Sequence, residues 1–581
     1  MRPPHRAFII FGLLPALVTA VVVAVVVAWA APAAHATTTA GHYAPLNRAF
    51  ARYQRQTVKA AAGGVVAPLA PAPVDARSWR RASLPLGPLS FAPSYDLRDV
   101  AGKLPLVRDQ GVHSDCWAFA GLGSLESYLL PAQPEDFSED SLALAAAQDF
   151  DYGFEGGGNF YMATAELARW NGPVAASSDS VHVQDVLFLP DRTGSADNDT
   201  IKWAVQNYGP VYTAIYVDSA IEQSVTSTTF NATQDSYCYT GSATVNHAVD
   251  IVGWDDTYPA ANFSTPPAGP GAFIVRNSWS KDFGDGGYFY VSYYDARIAT
   301  EMAVFTGESG ADYAQNFGFD KLGFTAEYGY TDQYGDPSDT AWMAAAFTLK
   351  GASPLEAASF YAQSPNTTYN VFVGTSLSNH STWLSLASGT IAVPGYHTVT
   401  FSTQPTRAAG VRFFVIVQLT TPGHDYPIPL EVAQRGYSSK ATAAAGESFI
   451  SGDGTSWEDL GAEYGADVCL KVFAGPATPD GIRPVTKALA AVKVTRSHSA
   501  TLRYRVSDAT ANDQEKVTIR IRNRAGRVVK TLALGWRSPN VALSTRYRCL
   551  LARAGYHYYV YATDRWGNTQ QSIGHAALTV K

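Results

Sequence analysis

Cysteine is scarce in this chain, which has only four cysteines among 581 residues. They stand far apart, at Cys116, Cys238, Cys469 and Cys549. If one of them has a chemical role, as argued below for Cys116, three remain, and an odd number cannot pair completely. We therefore expect no essential disulfide framework. We also expect neither a metal site nor a cofactor.

Charge is low as well, because Asp, Glu, Lys and Arg make up only 16% of the residues and the net formal charge is −7, with a pI near 6.0. The chain as a whole lacks the basic footprint of a nucleic-acid-binding protein, so we do not expect nucleic acid as a partner. Tyrosine and glycine are abundant, with 32 and 48 residues. This composition is typical of extracellular, β-rich domains, and the length allows about three of them.

One long apolar run lies at the N-terminus, over residues 7–31. It follows a basic start and precedes Ala34-His35-Ala36, a small-residue cleavage pattern. We interpret residues 1–36 as a secretory signal peptide that places the remaining chain outside the cell. The run is also long enough to span a bilayer. An uncleaved N-terminal anchor is therefore the alternative, and it is the one route by which we expect membrane contact.

The most informative segment is Gln110-Gly-Val-His-Ser-Asp-Cys-Trp-Ala-Phe119. After Cys116, apolar residues recur at helical spacing until Pro131 ends the pattern. This apolar stripe consists of Ala118, Leu122, Leu125 and Leu129. Ser114 and Asp115 are of residue types that cap helix starts. Cys116 is therefore expected in the first turn of a buried helix, where backbone N–H groups and the helix dipole favour a thiolate.

Two downstream residues, His247 and Asn277, supply the types that a thiol nucleophile needs. His247 lies 131 residues after Cys116, within a run over residues 245–254 that is typical of a buried strand. Asn277 lies 161 residues after Cys116, at the end of a second predicted strand that begins at residue 272. An imidazole can take the thiol proton, and an amide oxygen can hold the ring by accepting its other N–H.

These segments together resemble the papain-like cysteine peptidases, in which His and Asn follow Cys by roughly 130–150 residues. A Pro- and Gly-rich loop between the two strands accounts for the late asparagine. The resemblance implies that Cys116 is the nucleophile, His247 the base and Asn277 its orienting partner. It also implies that Gln110 and the backbone N–H of Cys116 stabilise the oxyanion. Trp279 would shield the hydrogen bond between the histidine and the asparagine from water.

The glycine pair Gly157 and Gly158 follows the nucleophile by 41 residues and matches the pair with which the family binds the substrate backbone. A flexible turn is the alternative interpretation. His113 stands where most family members carry a second cysteine, and its usual disulfide partner is also absent from residues 154–156. The resemblance therefore implies a variant without this bridge. Asp115 stands where a small residue is usual, and its charge is expected to oppose thiolate formation.

The remaining chain reads as a leader and two β-rich modules. Residues 37–92 lack a long helical pattern, so we expect an arm wrapped around the peptidase domain rather than a complete inhibitory plug. Short strands and turns over residues 312–475 favour a β-sandwich that resembles the lectin-like domain fused to some prokaryotic papain-like peptidases. Strict alternation over residues 516–522 belongs to a module that resembles the immunoglobulin-like domain of the flagellar-hook capping type, with a spacing or attachment role.

The predicted fold is multidomain, with an α+β, two-lobed, papain-like peptidase followed by two all-β sandwich domains. The predicted boundaries are a signal peptide or anchor at 1–36, a leader at 37–92, the peptidase at 93–308, the lectin-like domain at 312–475, a linker at 476–485 and the immunoglobulin-like domain at 486–581.

The predicted function is that of a secreted or cell-surface cysteine endopeptidase acting on proteins or peptides through a thioester. A glycan or another cell-surface partner is expected for the lectin-like domain, although no sugar-binding constellation can be read from the sequence. Two alternatives stay open. The peptidase fold could serve as an inactive adhesion module, or the thioester could be captured by an amine in a transpeptidation.

Overall fold

The computed structural model describes most of the chain after the apolar N-terminal run. The described residues are 40–54, 69–75, 79, 82–170, 181–309, 313–332, 334–478, 483–508, 515–564 and 567–581. The predicted signal peptide, residues 1–36, and part of the predicted linker 476–485 lie outside these ranges. Across the ranges just given, no helix is both long and apolar enough to cross a membrane.

A helical lobe forms around the helix Cys116–Leu129, of whose 14 residues 13 are buried. This helix packs against two others, Glu139–Asp149 and Phe160–Ala168, and against the sheet of the second lobe. It is covered on all sides, so its burial extends well beyond the apolar stripe that the sequence predicted. The α-helices of the described residues are Arg48–Tyr53, Cys116–Leu129, Glu139–Asp149, Phe160–Ala168, Asp199–Asn207, Ser219–Glu222 and Leu460–Glu463.

The second lobe of the predicted peptidase domain is a mostly antiparallel sheet, in which Ser236–Tyr237 and Tyr288–Ser292 form a parallel pair. Its strand His247–Asp255 lies between Val211–Ile215 and Ala272–Arg276. The two predicted strands are therefore present, with ends shifted by one or two residues. The strands of this region are Ser94–Asp96, Val181–Leu189, Val211–Ile215, Phe230–Asn231, Ser236–Tyr237, His247–Asp255, Ala272–Arg276, Tyr288–Ser292 and Thr300–Ser309.

The lectin-like region is built from short antiparallel strands, as predicted. One of them, Gly395–Thr400, pairs with Val181–Leu189 of the peptidase, so a single sheet continues from one region into the other. This pairing covers a sheet edge that would otherwise expose unpaired backbone groups. The strands of the region are Gln315–Phe317, Ala326–Thr331, Pro337–Ser338, Thr340–Thr348, Ser353–Ala362, Thr367–Gly374, Leu384–Ile391, Gly395–Thr400, Thr406–Arg407, Arg412–Thr420, Ile428–Val432, Ser448–Ser451, Glu458–Asp459, Ala466–Val468 and Leu470–Ala474.

Parts of the leader belong to the folded body. The strand Ala40–Tyr43 pairs antiparallel with Ala326–Thr331 of the lectin-like region. The helix Arg48–Tyr53 buries Phe50 completely, with its ring 5.9 Å from the ring of Tyr437. The leader is therefore attached to the lectin-like region before it reaches the peptidase.

The C-terminal region contains a three-stranded and a five-stranded sheet around one apolar core. The predicted alternation is present, because Val517, Ile519 and Ile521 are fully buried while Lys516 and Arg520 are exposed. The strands are Val485–Ala488, Val492–Val494, Ser499–Ser507, Glu515–Asn523, Val528–Arg537, Ala542–Arg548, Ala554–Thr563 and Gly574–Val580.

Candidate active site

Cys116 is the first residue of its helix and is only 2% exposed. Its Sγ accepts a hydrogen bond from the backbone N–H of Ala248, at 3.4 Å. Burial raises the pKa of the Cys116 thiol to about 12, whereas the backbone N–H groups of Ala248 and Trp117 favour the thiolate. The Cys116 side chain is therefore a neutral thiol in this environment. All four cysteines of the chain are buried and free.

Asp115, which precedes the nucleophile, is completely buried. It occupies the N-cap position, but its side chain makes no capping hydrogen bond, contrary to its predicted role. Neither of its carboxylate oxygens has a hydrogen-bond partner among the described residues. Burial raises the pKa of Asp115 to about 7. The charge of Asp115 raises the pKa of Cys116, in agreement with the sequence-based expectation.

His247 begins its strand and is fully buried. Its Nε2 lies 2.8 Å from Oδ1 of Asn277, which directly follows the neighbouring strand. The backbone N–H of Ser278 also donates to this oxygen, at 2.9 Å, so the amide orientation is determined by two contacts. Nδ1 of His247, the other ring nitrogen, has no partner within the described ranges. Burial lowers the pKa of His247 to about 4, so the ring is neutral here.

The hydrogen bond from the N–H of Ala248 brings the thiol of Cys116 to the backbone of the residue that directly follows His247. Trp279 stacks on the ring of His247, with centroids 4.7 Å apart. Trp279 also contacts Phe283 in edge-to-face geometry, with ring centroids 5.1 Å apart. The indole therefore covers the imidazole, the position that the resemblance implied for it.

Gln110 lies against the strand end that carries the asparagine. Its backbone N–H donates to the carbonyl of Ser278 at 2.8 Å, and its Oε1 accepts from the hydroxyl of Ser278 at 2.5 Å. One N–H of its Nε2 donates to the carbonyl of His113, at 2.7 Å. A carboxamide has two N–H donors. Two contacts therefore orient the amide, and only one of its two N–H donors is used in them.

The glycine pair lies on the helical lobe, next to the nucleophile helix. Gly157 has a φ of +79°, a conformation that favours glycine. A Cβ on Gly158 would lie 2.3 Å from Cε2 of Trp117, so only glycine fits against this indole. The close approach explains the second glycine physically, without reference to a substrate.

A segment of the leader is hydrogen-bonded to Gly158 of this pair and to the next residue, Asn159. The N–H of Ala70 donates to the carbonyl of Gly158 at 3.1 Å, and Nδ2 of Asn159 donates to the carbonyl of Ala70 at 2.8 Å. Leu69 and Val74 belong to the same buried cluster as the nucleophile. This leader segment therefore contacts the backbone of the glycine pair, which the sequence pattern alone did not indicate.

The predicted loss of a disulfide is accompanied by a polar contact. Nδ1 of His113 lies 2.7 Å from Oε1 of Glu155, two residues before Gly157. The ring of His113 also makes an edge-to-face contact with Phe154, with centroids 5.1 Å apart. The hydrogen bond to Glu155 raises the pKa of His113. The two loops are thus connected at exposed positions by a contact that is an ion pair when His113 is protonated.

Comparisons with known proteins agree with this architecture. Residues 91–306 match the model of the papain family cysteine proteases, and residues 317–474 match that of the lectin-like domain. A cysteine protease of Blomia tropicalis is 26% identical over 221 residues, which are 35% of this chain and 61% of that protein. Oryzain gamma chain of Oryza sativa is 30% identical over 199 residues, 32% of this chain and 50% of that protein. The matched region thus spans only half to three fifths of these relatives.

Two solved structures share the larger arrangement. The cysteine protease and lectin-like domains of Cwp84, a surface layer associated protein of Clostridium difficile, superimpose with a TM-score of 0.62 and 22% identity. This match covers 76% of the present chain and 99% of that one. The same clostridial protease after propeptide cleavage gives a TM-score of 0.56 and 23% identity over 66% of this chain and 99% of that one. At these identities the likeness shows the fold. The chain carries a papain-family cysteine protease domain followed by a lectin-like domain.

Proposed function

We propose that the chain is a cysteine endopeptidase in which Cys116, His247 and Asn277 perform the chemistry. The observation that carries the proposal is the 2.8 Å contact between Nε2 of His247 and Oδ1 of Asn277. The residue that follows His247, Ala248, contacts Sγ of Cys116 through its backbone N–H. Because Nε2 is engaged by Asn277, Nδ1 is the ring nitrogen left to take the thiol proton. A thiol, a base and a group that orients the base meet in one place.

In the proposed reaction, Nδ1 of His247 takes the thiol proton and Sγ of Cys116 attacks the carbonyl carbon of the scissile bond. The second N–H of the Gln110 amide and the backbone N–H of Cys116 stabilise the resulting oxyanion. His247 then protonates the leaving amine, and a thioester remains on the sulfur. Water, deprotonated by the same ring, hydrolyses the thioester and restores the thiol.

The leader must leave the groove at the glycine pair, Gly157 and Gly158, before a substrate can bind there. Ala70 holds the backbone of Gly158, the position proposed to bind the substrate chain. Burial also keeps both the thiol and the imidazole neutral. Water admitted on leader removal would favour the charged forms of both groups, because desolvation is the main cause of both pKa shifts.

The test is mass spectrometry after exposure to an epoxide that alkylates activated cysteines, with the leader removed. We expect one adduct, on Cys116, and its loss in the variants Cys116→Ala and His247→Ala. Cys238→Ala, which removes another buried thiol, is the matched control and should still be labelled. A folded, leader-free protein without an adduct would contradict the proposal and favour the adhesion alternative.

We propose a cell-surface location, supported by the signal-like N-terminal sequence and by the likeness to a surface layer associated protein. We also propose that the lectin-like domain binds a glycan. A groove of about 590 Å³ on this domain is lined by Arg412, Phe414, Phe449 and Trp457, together with serine and threonine side chains. Aromatic faces beside a few polar groups are suited to the apolar and hydroxyl-bearing faces of sugars.

The groove is held in shape by contacts within the domain. Nε1 of Trp457 donates to the carbonyl of Gly454 at 3.1 Å, and the guanidinium of Arg412 lies 5.0 Å from the centre of the Phe414 ring. A glycan array would identify a ligand, whose binding we expect Trp457→Ala to weaken by about tenfold, the effect of one lost aromatic contact. Tyr334→Ala, at a position 80% exposed on the same domain, is the control. Unchanged binding by Trp457→Ala would contradict this site.

A further inference from the structure

Charge is strongly segregated along this chain. Residues 486–581 contain 17 Lys or Arg and only four Asp or Glu, a net formal charge of +13. Residues 1–485 contain 26 Lys or Arg and 46 Asp or Glu, a net formal charge of −20. The whole-chain value of −7 conceals this division. A charge of this size on so small a region is a long-range field that attracts anions.

Five of these 17 cations lie on one sheet face of the C-terminal region. The strand Ser499–Ser507 buries Leu502, Tyr504 and Val506, so the alternate residues Arg503 and Arg505 point outward. The neighbouring strands add three more exposed cations. These five residues, called the basic face here, are Lys487, Arg503, Arg505, Arg546 and Arg548. The three strands that carry them contain no Asp or Glu.

The register brings like charges together on this face. Lys487 is directly opposite Arg505. Arg546 is opposite Thr501, which makes it a diagonal neighbour of Arg503. Like charges at such positions destabilise a sheet. The arrangement is therefore unfavourable for folding alone, and a bound anion would remove the repulsion.

None of these five cations forms an ion pair with a described residue. Arg505 and Arg548 donate instead to the backbone carbonyls of Asn540 and Ser497, at 2.9 and 3.3 Å. These bonds orient the guanidinium groups and leave their charges uncompensated. Guanidinium groups bind phosphate oxygens in a bidentate manner.

The opposite sheet of the same region is different. There Arg520 lies 4.8 Å from the centre of the Tyr561 ring, and Arg522 lies 5.0 Å from that of Tyr559 and donates to the hydroxyl of Tyr561 at 2.8 Å. Those guanidinium groups are engaged within the fold. The basic face differs in that its cations lie opposite and diagonal to one another in the sheet register, whereas these two guanidinium groups of the other sheet lie against aromatic rings.

We propose that the basic face is a docking surface for an extended, phosphate-bearing polymer of the cell envelope. The outward positions of its strands hold cations and small or hydroxyl-bearing residues such as Thr501 and Ser544, with no aromatic ring on which a base could stack. The choice of an envelope polymer also rests on the proposed cell-surface location. Docking of this kind would hold the peptidase at the surface on which it acts.

The test uses the full chain with Cys116→Ala, so that binding is measured independently of peptidase activity. The probe is poly(glycerol phosphate) of defined length, and duplex DNA and phosphatidylglycerol vesicles are compared with it at 150 mM salt, roughly the physiological ionic strength. In one variant, Arg503, Arg505, Arg546 and Arg548 are all changed to glutamine. In the control, Lys516, Arg524, Arg527 and Lys530 are changed to glutamine, which removes the same charge from exposed positions of the other sheet and its hairpin turn.

We expect the basic-face variant to bind poly(glycerol phosphate) at least about tenfold more weakly and to show a shallower dependence of log K on log salt, by about 3, for four lost phosphate contacts. The control should stay within about twofold. A milder double variant, Arg546→Gln with Arg548→Gln, is measured as well. Thermal unfolding of every variant then separates lost binding from lost folding. Equal loss in both variants, no binding, or tighter binding to DNA or vesicles would overturn the proposal.

Discussion

Nδ1 of His113 lies 2.7 Å from Oε1 of Glu155, and this contact joins the loop that carries Gln110 to the segment that precedes the glycine pair. Most papain-like peptidases connect these two segments by a disulfide. Here the connection depends on protonation, because only a charged imidazole makes an ion pair with the carboxylate. The side chains are 42% and 58% exposed, so solvent screens the pair strongly.

We predict that this connection weakens as pH rises. The pKa of His113 is raised above 6.5 by its contact with Glu155, so the contact is complete below pH 6.5 and is lost as pH passes through the raised value. Hydrogen exchange in residues 153–158, corrected for the intrinsic rate, should therefore be faster at pH 9 than at pH 6. His113→Gln should abolish this pH dependence, and a dependence that persists in the variant would contradict the prediction.

We predict that Asn277→Ala lowers kcat by about 100-fold, at the lower end of the effect of losing acid–base catalysis. The amide of Asn277 orients the ring of His247, and without it the ring can turn away from the thiol. The change should leave KM nearly constant, since Asn277 is not expected to contact the substrate. Steady-state kinetics on a peptide substrate measures both values. An unchanged kcat would exclude the proposed role of this residue.

Asp115→Asn should accelerate alkylation of Cys116, and the size of this acceleration should depend on pH. The pKa of Asp115 is about 7, raised mainly by burial and further by Asp140 and Glu139, whereas His113 lowers it. The carboxyl is therefore neutral near pH 5.5 and charged near pH 8.5, where it opposes the thiolate. The ratio of the variant's rate to the wild-type rate should be near one at the lower pH.

At the higher pH this ratio should reach about 3 to 10, corresponding to a shift of up to one unit in the thiol pKa. Iodoacetamide labelling followed by mass spectrometry gives the rates. Asp140→Asn is a suitable control because Asp140 is exposed and acts on the thiol only indirectly. A ratio that does not vary between the two pH values would show that the charge of Asp115 does not act on the thiol.

Ala70→Pro should increase activity without any cleavage of the leader. Proline has no N–H and would remove the 3.1 Å hydrogen bond from Ala70 to the carbonyl of Gly158. Ala70→Gly, which keeps the N–H, is the control. We expect removal of the whole leader up to Ala92 to have a larger effect, of at least about tenfold, because one hydrogen bond contributes about 1 kcal/mol. Equal turnover by the full and shortened chains would show that the leader does not block the groove.

The positions of the candidate catalytic residues could be predicted because each depends on a local pattern. Apolar residues at helical spacing located the helix that starts at Cys116, and strand-like runs placed His247 and the end of the strand before Asn277. Burial of backbone polar groups requires regular helices and strands, so such patterns determine local structure. The spacing and identity of these residues also indicated the family and the order of its domains.

Other features depend on residues that are distant in the chain and have no shared local signal. The bond from Ala70 to Gly158, the pairing of Gly395–Thr400 with Val181–Leu189, and the groove that joins Trp457 to Arg412 are of this kind. Their partners are brought together only when the sheets form and bury their apolar faces. The sequence by itself therefore determined which residues are candidates for the chemistry, and the tertiary structure decided what covers, connects and surrounds them.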